Sequence, residues 1–379
     1  MSSRSAEEEC LIKFKKGQRS VSLDSKLFYD AEGYTRSFRQ DQEAEYRLFF
    51  ERYGFAVVEC LSAAECERTR DDIWKYIEEK LWVDERFRKP PFPSRGDPET
   101  WSKGWPGMAN EGIVGSGVVW TAQACENRQH PAVHQVWATL LGTDELLVNL
   151  DRYGLFRPTE GAAGLSKLWR TEANVHLDMC TQEYFGQADS KEQRGHIERM
   201  RYHFDNEFII ENNFVGVKSD GELHIQGLIN LADNRAEDGG FWLVPGFHKY
   251  LERFATVDYR RLCASYGSTT FQVLPHEFMT SLHPIRICAR EGYLVVWDQR
   301  VAHGSSPNAS PRARYAQFLK LFPASAIHSE DRRAARAVAV GEALQAIPFE
   351  PSELGKRIFG LAPYSEPTNV SKDDDQIQS

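Results

Sequence analysis

The chain has no Cys-x-x-Cys pair: its cysteines, at 10, 60, 66, 125, 180, 263 and 288, are odd in number and scattered through 379 residues. That pattern argues against a disulfide framework or a paired-cysteine zinc ribbon and suits reduced thiols in the cytoplasm. Long apolar runs are missing too, and nothing approaches the roughly 20 residues of a membrane-crossing helix. The first residues, MSSRSAEEEC, are polar and acidic where a secretory signal would be basic and then apolar, and the closing QIQS is not a peroxisomal Ser-Lys-Leu. Positive charge is in deficit as well. Lys and Arg number 46 against 55 Asp and Glu, a net charge of -9, and the short KFKKGQR run at 13–19 reads as a solvated tail. Neither a nucleic-acid nor a membrane partner is expected from such a surface. No internal repeat is present.

With 41% hydrophobic residues the chain can bury one full core. The expected organisation is a flexible segment over 1–36, a single catalytic domain over 37–345 and a polar tail over 346–379. A helix is expected within 37–53, then a strand at GFAVVEC. Ser62 with Glu65 three residues later is a helix-start signature, and the segment running on to Lys80 places Ile73, Trp74 and Ile77 on one face. Residues 89–115, rich in Pro and Gly, read as a long loop. Strands are expected near 117–121, 146–152, 174–178, 223–231, 241–245, 283–288, 293–297 and 314–322, and a helix near 330–345. Many short strands separated by turn signals mean a mainly β fold with flanking helices, a sandwich or open barrel. The 180–222 stretch is an insertion between two strands, of a size that often carries function.

Chemistry concentrates in two distant segments, NVHLDMC at 174–180 and VVWDQRVAHGSSPNASPRARYAQFLKLF at 295–322. In a strand, residues i and i+2 face the same side, so His176 and Asp178 present an imidazole and a carboxylate together while Val175, Leu177 and Met179 face away. His303 follows a strand-like run, and Gly304 to Ser306 read as its turn. Two His and one carboxylate leave coordination positions open, the arrangement of non-haem Fe(II) oxygenases. Arg314, eleven residues beyond His303, offers the fixed fork that binds a buried carboxylate bidentately. Arg312 is its competitor, nearer the Pro311 turn. A second His-x-Asp, His203-Phe204-Asp205, lies in a charged stretch and is the runner-up ligand pair. His130 and His134 lack the Glu of a zinc-hydrolase helix and read as ordinary helix residues. His248 reads as a loop hydrogen-bonder, and Cys180 as a packing residue.

The tripeptide HLD, the segment LINLADNRAEDGGFWLVPGFHK (228–249) and the segment REGYLVVWDQRVAHGSSPNASPRAR (290–314) together resemble the phytanoyl-CoA dioxygenase family of Fe(II)/2-oxoglutarate oxygenases. The resemblance runs from about residue 47 to about 324. It implies a double-stranded β-helix, the jelly-roll or cupin-like core, with His176, Asp178 and His303 as iron ligands and catalytic residues. Arg314 and Ser305 would hold 2-oxoglutarate, with Gln226 and Asn149 as further candidate contacts. Ala173 stands where some members carry Gln. The implied reaction consumes O2 and 2-oxoglutarate, releases succinate and CO2, and oxidises an unactivated C–H bond by hydroxylation, desaturation or cyclisation. Asp178 occupies the place a halide would need, which disfavours halogenation. The expected substrate is a small organic metabolite or natural-product intermediate under the 89–115 loop and the 180–222 insertion. Candidate contacts are Arg157 and Trp169, with Lys167, Trp101, Trp105 and Tyr184 nearby. Two other classes compete, a zinc-dependent hydrolase and a catalytically silent binding protein on the same fold. The first would not need Arg314; the second would be expected to have lost a ligand.

Overall fold

A computed structural model describes residues 25–79, 92–102, 105, 112–114, 118–160, 170–178, 181, 223–258, 272–274, 282–327 and 330–364. Apart from Thr181, the insertion with His203, Asp205 and Tyr184 lies outside the described residues, as do Lys167, Trp169 and Cys180.

Two antiparallel sheets face each other. The larger is built from β1 (Phe55–Glu59), β2 (Ile113–Val114), β4 (Tyr153–Phe156), β6 (Ile225–Asn230), β10 (Tyr293–Asp298) and β12 (Arg314–Leu319), in the order β1-β10-β6-β12-β4-β2. The smaller has β5 (Asn174–Leu177), β7 (Gly240–Leu243), β8 (Gln272–Val273), β9 (Ile285–Arg286) and β11 (His303–Ser306), in the order β8-β5-β11-β7-β9. A third pair joins β3 (Leu146–Val148) to β13 (Leu321–Pro323). The central strands β6 and β10 are buried along almost their whole length, polar Gln226, Asn230 and Asp298 included, because both of their faces are covered.

Alternation along β12 separates those faces. Gln317 turns outward, accepting from Asn127 Nδ2 at 2.8 Å and donating to the Ala124 carbonyl, while Tyr315 accepts from Trp74 Nε1 at 2.9 Å. Helices Ala63–Glu79, Ala122–Arg128 and Pro131–Leu141 therefore cover the outer side, and Trp74 and Trp137 anchor the main core there. Helix Ala63–Glu79 starts as its sequence predicts: Ser62 N–H donates to Glu65 Oε2 at 2.8 Å and Ser62 Oγ faces the Glu65 N–H. Arg314, Ala316 and Phe318 turn the other way, toward the smaller sheet.

Several boundaries differ from expectation. Packed structure begins before residue 37: Phe28 is buried with its ring 5.0 Å from Tyr53, and Thr35 N–H donates to the Cys288 carbonyl. At the other end, Ser352 caps a helix, Glu353–Ile358, whose Ile358 and the adjacent Phe359 are fully buried. Both stretches look polar because one or two apolar anchors in a dozen residues leave no periodicity. The strand expected at 117–121 is absent over 118–120; the edge strand is β2, a few residues earlier. β4 was not expected, since its YGLF carries a glycine.

Candidate metal centre

The ligand strand behaves as its alternation predicts. Along β5, Asn174 and His176 are half-buried and Val175 and Leu177 fully buried. Val175 and Leu177 join a second apolar cluster with Val244, Phe247, Leu251 and Phe254, and each contributes about 1.5–3 kcal/mol by leaving water. That burial holds His176 and Asp178 on the inner side. Gly304 to Ser306, expected to be a turn, instead form with His303 a central strand of the smaller sheet, paired with β5 on one side and β7 on the other. Small residues with little strand preference become a strand here because both neighbours supply hydrogen bonds.

His176, Asp178 and His303 each offer a donor atom within 4.8 Å of the other two. Asp178 Oδ1 lies 3.6 Å from His176 Nε2, and Oδ2 lies 3.3 Å from His303 Nε2. The tautomers are settled by what stands behind each ring. His303 Nδ1 is 2.8 Å from the Val301 carbonyl, and His176 Nδ1 is 2.9 Å from Asn174 Oδ1. A carbonyl oxygen only accepts, so both Nδ1 atoms carry the proton and both Nε2 lone pairs face the centre. This donor set, two neutral imidazoles and a carboxylate, fits a divalent transition metal with open positions. Burial pushes His176 down to about 4, helped by His303 and opposed by Asp178. Burial alone would raise the Asp178 carboxyl; where the rings carry a second proton, at Nε2, the His303 hydrogen bond and the charge of both imidazoles, with the Gln226 amide beside them, hold it well below the usual carboxylate range.

On the facing sheet, at the start of β12, stands Arg314. Its guanidinium lies 4.5 Å over the Phe156 ring and against Gly240, and it is 4% exposed. Among the described residues it has no carboxylate partner, and its Nε meets no acceptor. Burial and the nearby Arg286 push it down to about 9. Arg286 is held by the Phe241 and Gly239 carbonyls and by Asn234 Oδ1. A buried cation without a counter-charge is costly, so Arg314 is set to receive an anionic ligand. Arg312 is 48% exposed in its side chain and paired with Glu237 and, at 2.7 Å, with Asp238.

The family profile for phytanoyl-CoA dioxygenase matches residues 50–316, spanning both ligand segments. The chain belongs to the phytanoyl-CoA dioxygenase family. A curated phytanoyl-CoA dioxygenase relative from Dictyostelium discoideum is 32% identical over 323 residues, 80% of this chain and 87% of that protein. Among solved structures, the GlcNAc-inducible gene 2 product of Candida albicans aligns with a TM-score of 0.57 at 14% identity, covering 97% of this chain and 87% of that one. A Salmonella typhimurium LT2 protein named an oxidoreductase aligns with a TM-score of 0.54 at 16% identity, covering 93% and 89%. These two likenesses concern the fold. Family membership makes this chain an oxygenase of the metal- and 2-oxoglutarate-dependent class.

Within this phytanoyl-CoA dioxygenase fold the other expected residues land as follows. Ser305 lies two after His303 on β11, half-buried on the same strand face. Gln226 meets Asp178, its Nε2 donating to Oδ2 at 2.7 Å. Asn149 needs correction: it is fully buried, its Oδ1 accepts from Lys320 N–H at 2.7 Å and its own N–H donates to the Lys320 carbonyl, so it extends the β3–β13 ladder. Arg157 needs correction too. It donates to the Trp101 carbonyl at 2.6 Å and stacks 4.7 Å over Trp105, and both indoles pack on Trp74, on the helix-covered face. His130 caps helix Pro131–Leu141, and His248 Nε2 lies 3.3 Å from the Glu51 carbonyl. Residues that the sequence reading missed are Asn174, Trp297, Gln299 and Gly240. Asn174 was findable, since it sits two before His176 on the same strand face.

Proposed function

We propose that this protein is an Fe(II)-dependent dioxygenase that uses 2-oxoglutarate and O2 to oxidise an unactivated C–H bond of a small organic molecule. The observation that carries the reading is the pairing of the His176–Asp178–His303 cluster with the buried Arg314, which has no carboxylate partner among the described residues. Arg314 packs on Gly240, which is the register partner of Ser306, three residues along β11 from His303. That is roughly 10 Å of strand, a span suited to a dicarboxylate with one end at the metal and the other at the guanidinium.

His176 Nε2, His303 Nε2 and one Asp178 oxygen would hold Fe(II), and Arg314, with Ser305 beside it, would hold the distal carboxylate of 2-oxoglutarate. When bound, the metal and cosubstrate supply oxidative decarboxylation, with succinate and CO2 as products. The chain's share is placement and dryness. Phe241 and Trp297, with rings 5.7 and 5.3 Å from that of His303, form an apolar wall that keeps water from one side of the centre. Because Asp178 supplies the third ligand, hydroxylation, desaturation or cyclisation fits better than halogenation. A zinc hydrolase would not need a buried cation at Arg314, and a silent binding protein would be expected to have lost a ligand or the Arg.

A small-molecule substrate in the cytoplasm fits the net charge of -9 and the free thiols of Cys60, Cys66, Cys125 and Cys288. No helix among the described residues is long and apolar enough to cross a membrane. The test is succinate formation by the purified protein. It should require both O2 and 2-oxoglutarate and vanish in His176→Ala, Asp178→Ala and His303→Ala. Retained turnover in those variants, with loss in His203→Ala or Asp205→Ala, would move the centre to the other His-x-Asp pair.

A further inference from the structure

Asp178 is the most precariously placed of the three acidic and imidazole groups, because β5 ends at Leu177 and Asp178 already lies in a bend beyond the ladder. The ladder that fixes His176 and His303 does not reach it. Two glutamine side chains do. Gln226 Nε2 lies 2.7 Å from the Asp178 carboxylate, and Gln299 Nε2 lies 2.9 Å from the Asp178 main-chain carbonyl.

Both carboxamides could in principle face either way, since their oxygen and nitrogen ends are nearly the same shape. Each is decided by the group behind it. Gln226 Oε1 is 2.9 Å from Trp297 Nε1, and an indole N–H can only donate. Gln299 Oε1 is 3.4 Å from Lys320 Nζ, and an ammonium can only donate. In each case the oxygen must face the donor, which turns the amide N–H toward Asp178. All four groups come from β6, β10 and β12 or their immediate continuation, so the larger sheet reaches across to fix a residue of the smaller one.

We propose that Gln226 and Gln299 are paired positioning residues that hold Asp178 in its metal-binding orientation, each aligned by a donor-only partner, Trp297 and Lys320. Gln226 fixes which carboxylate oxygen stays on the protein and leaves the other for the ion; Gln299 fixes the backbone that carries it. This replaces a cosubstrate contact as the role of Gln226, and it rests on the reading of His176, Asp178 and His303 as the metal ligands.

The experiment is anaerobic calorimetric titration of Fe(II) alone into the full-length metal-free protein, with thermal midpoints recorded in parallel. Gln226→Leu and Gln299→Leu should each weaken Fe(II) binding about 10- to 100-fold, the usual effect of removing a partner of a ligand. Trp297→Phe should weaken it in the same direction while keeping the apolar wall. Because Trp297 acts through Gln226, the Trp297→Phe/Gln226→Leu double variant should bind no more weakly than Gln226→Leu alone. This cycle decides the question by itself if Gln299→Leu does not fold. Wild-type affinity in the glutamine variants, or additive losses in the double variant, would overturn the inference. If the wild type fails to bind Fe(II), or His176→Ala binds it equally well, the metal assignment itself falls; loss in His176→Ala with normal binding in the glutamine variants sinks only the positioning role.

Discussion

His303 lies directly opposite His176 across the antiparallel β5–β11 pair, with ring centroids 4.6 Å apart. The two imidazoles are brought together by strand register, so anything that parts the strands parts the ligands. Gly304 is the sensitive point. A Cβ there would sit 2.0 Å from the Asn174 carbonyl oxygen on the facing strand. Gly304→Ala should therefore cost about 1–3 kcal/mol of stability and weaken metal binding although no ligand is changed. Denaturant midpoints and a metal titration on the same variant check this; unchanged metal affinity would mean that the pairing does not set the ligand spacing.

Arg314 is expected to serve binding at the expense of stability. Its charge is buried beside Arg286 without a carboxylate among the described residues, so Arg314→Met should leave the metal-free protein at least as stable as the wild type. The same change should abolish the rise in melting temperature that 2-oxoglutarate gives the wild type. Arg314→Lys should also bind 2-oxoglutarate weakly, by about 2–5 kcal/mol, since a point charge does not reproduce the fork. Arg312→Lys should bind it normally, because Arg312 is engaged with Glu237 and Asp238 at the surface. The reverse pattern would shift the anchor to Arg312.

Gly240 makes room for that guanidinium. At φ +113 it lies where side chains are strained, and a Cβ would come within 2.6 Å of Arg314 Nε. Gly240→Ala should raise the half-saturation for 2-oxoglutarate and leave Fe(II) affinity nearly unchanged. Gly142→Ala is the control, with a positive φ of +71 and nothing within 4 Å of its Cβ. Equal effects of both on 2-oxoglutarate would reduce the Gly240 effect to general backbone strain.

Acid should destabilise the metal-free protein in a defined window. Burial holds His176 at about 4 in the folded chain, against 6.5 as its ordinary value. Between those values the unfolded chain binds more protons than the folded one. The His176 contribution is thus fully present above about 6.5 and is lost as pH falls toward about 4, by at most about 3 kcal/mol. Denaturant midpoints measured between about pH 7 and about pH 5 should fall in the wild type and fall less in His176→Gln. Parallel slopes would remove His176 as the cause.

The mainly β fold and the candidate site were both legible in the sequence, while several individual strands were not. Strand alternation puts His176 on the inner face, enforced by the buried Val175 and Leu177, and points to Asp178 on the same side, one residue past the end of the strand. β11 was hidden because HGSS has no strand preference of its own; two flanking strands confer it. Asn149, just past β3, and Gln226, on β6, were equally plausible polar residues, and only three-dimensional partners separate a ladder-extending amide from one that grips a carboxylate. The packing role of Arg157 depends on Trp101, Trp105 and Trp74 meeting from separate segments, which no local pattern announces.

The most direct test is an anaerobic titration of the Fe(II)-loaded protein with 2-oxoglutarate, followed by visible absorbance, because a charge-transfer band arises only where the two share one site. The wild type should develop the band and saturate. Asp178→Ala and His303→Ala should show none, and Arg314→Met should need far more 2-oxoglutarate to reach it. A wild type without the band, or a band of unchanged strength in the ligand variants, would contradict the assignment of His176, Asp178, His303 and Arg314.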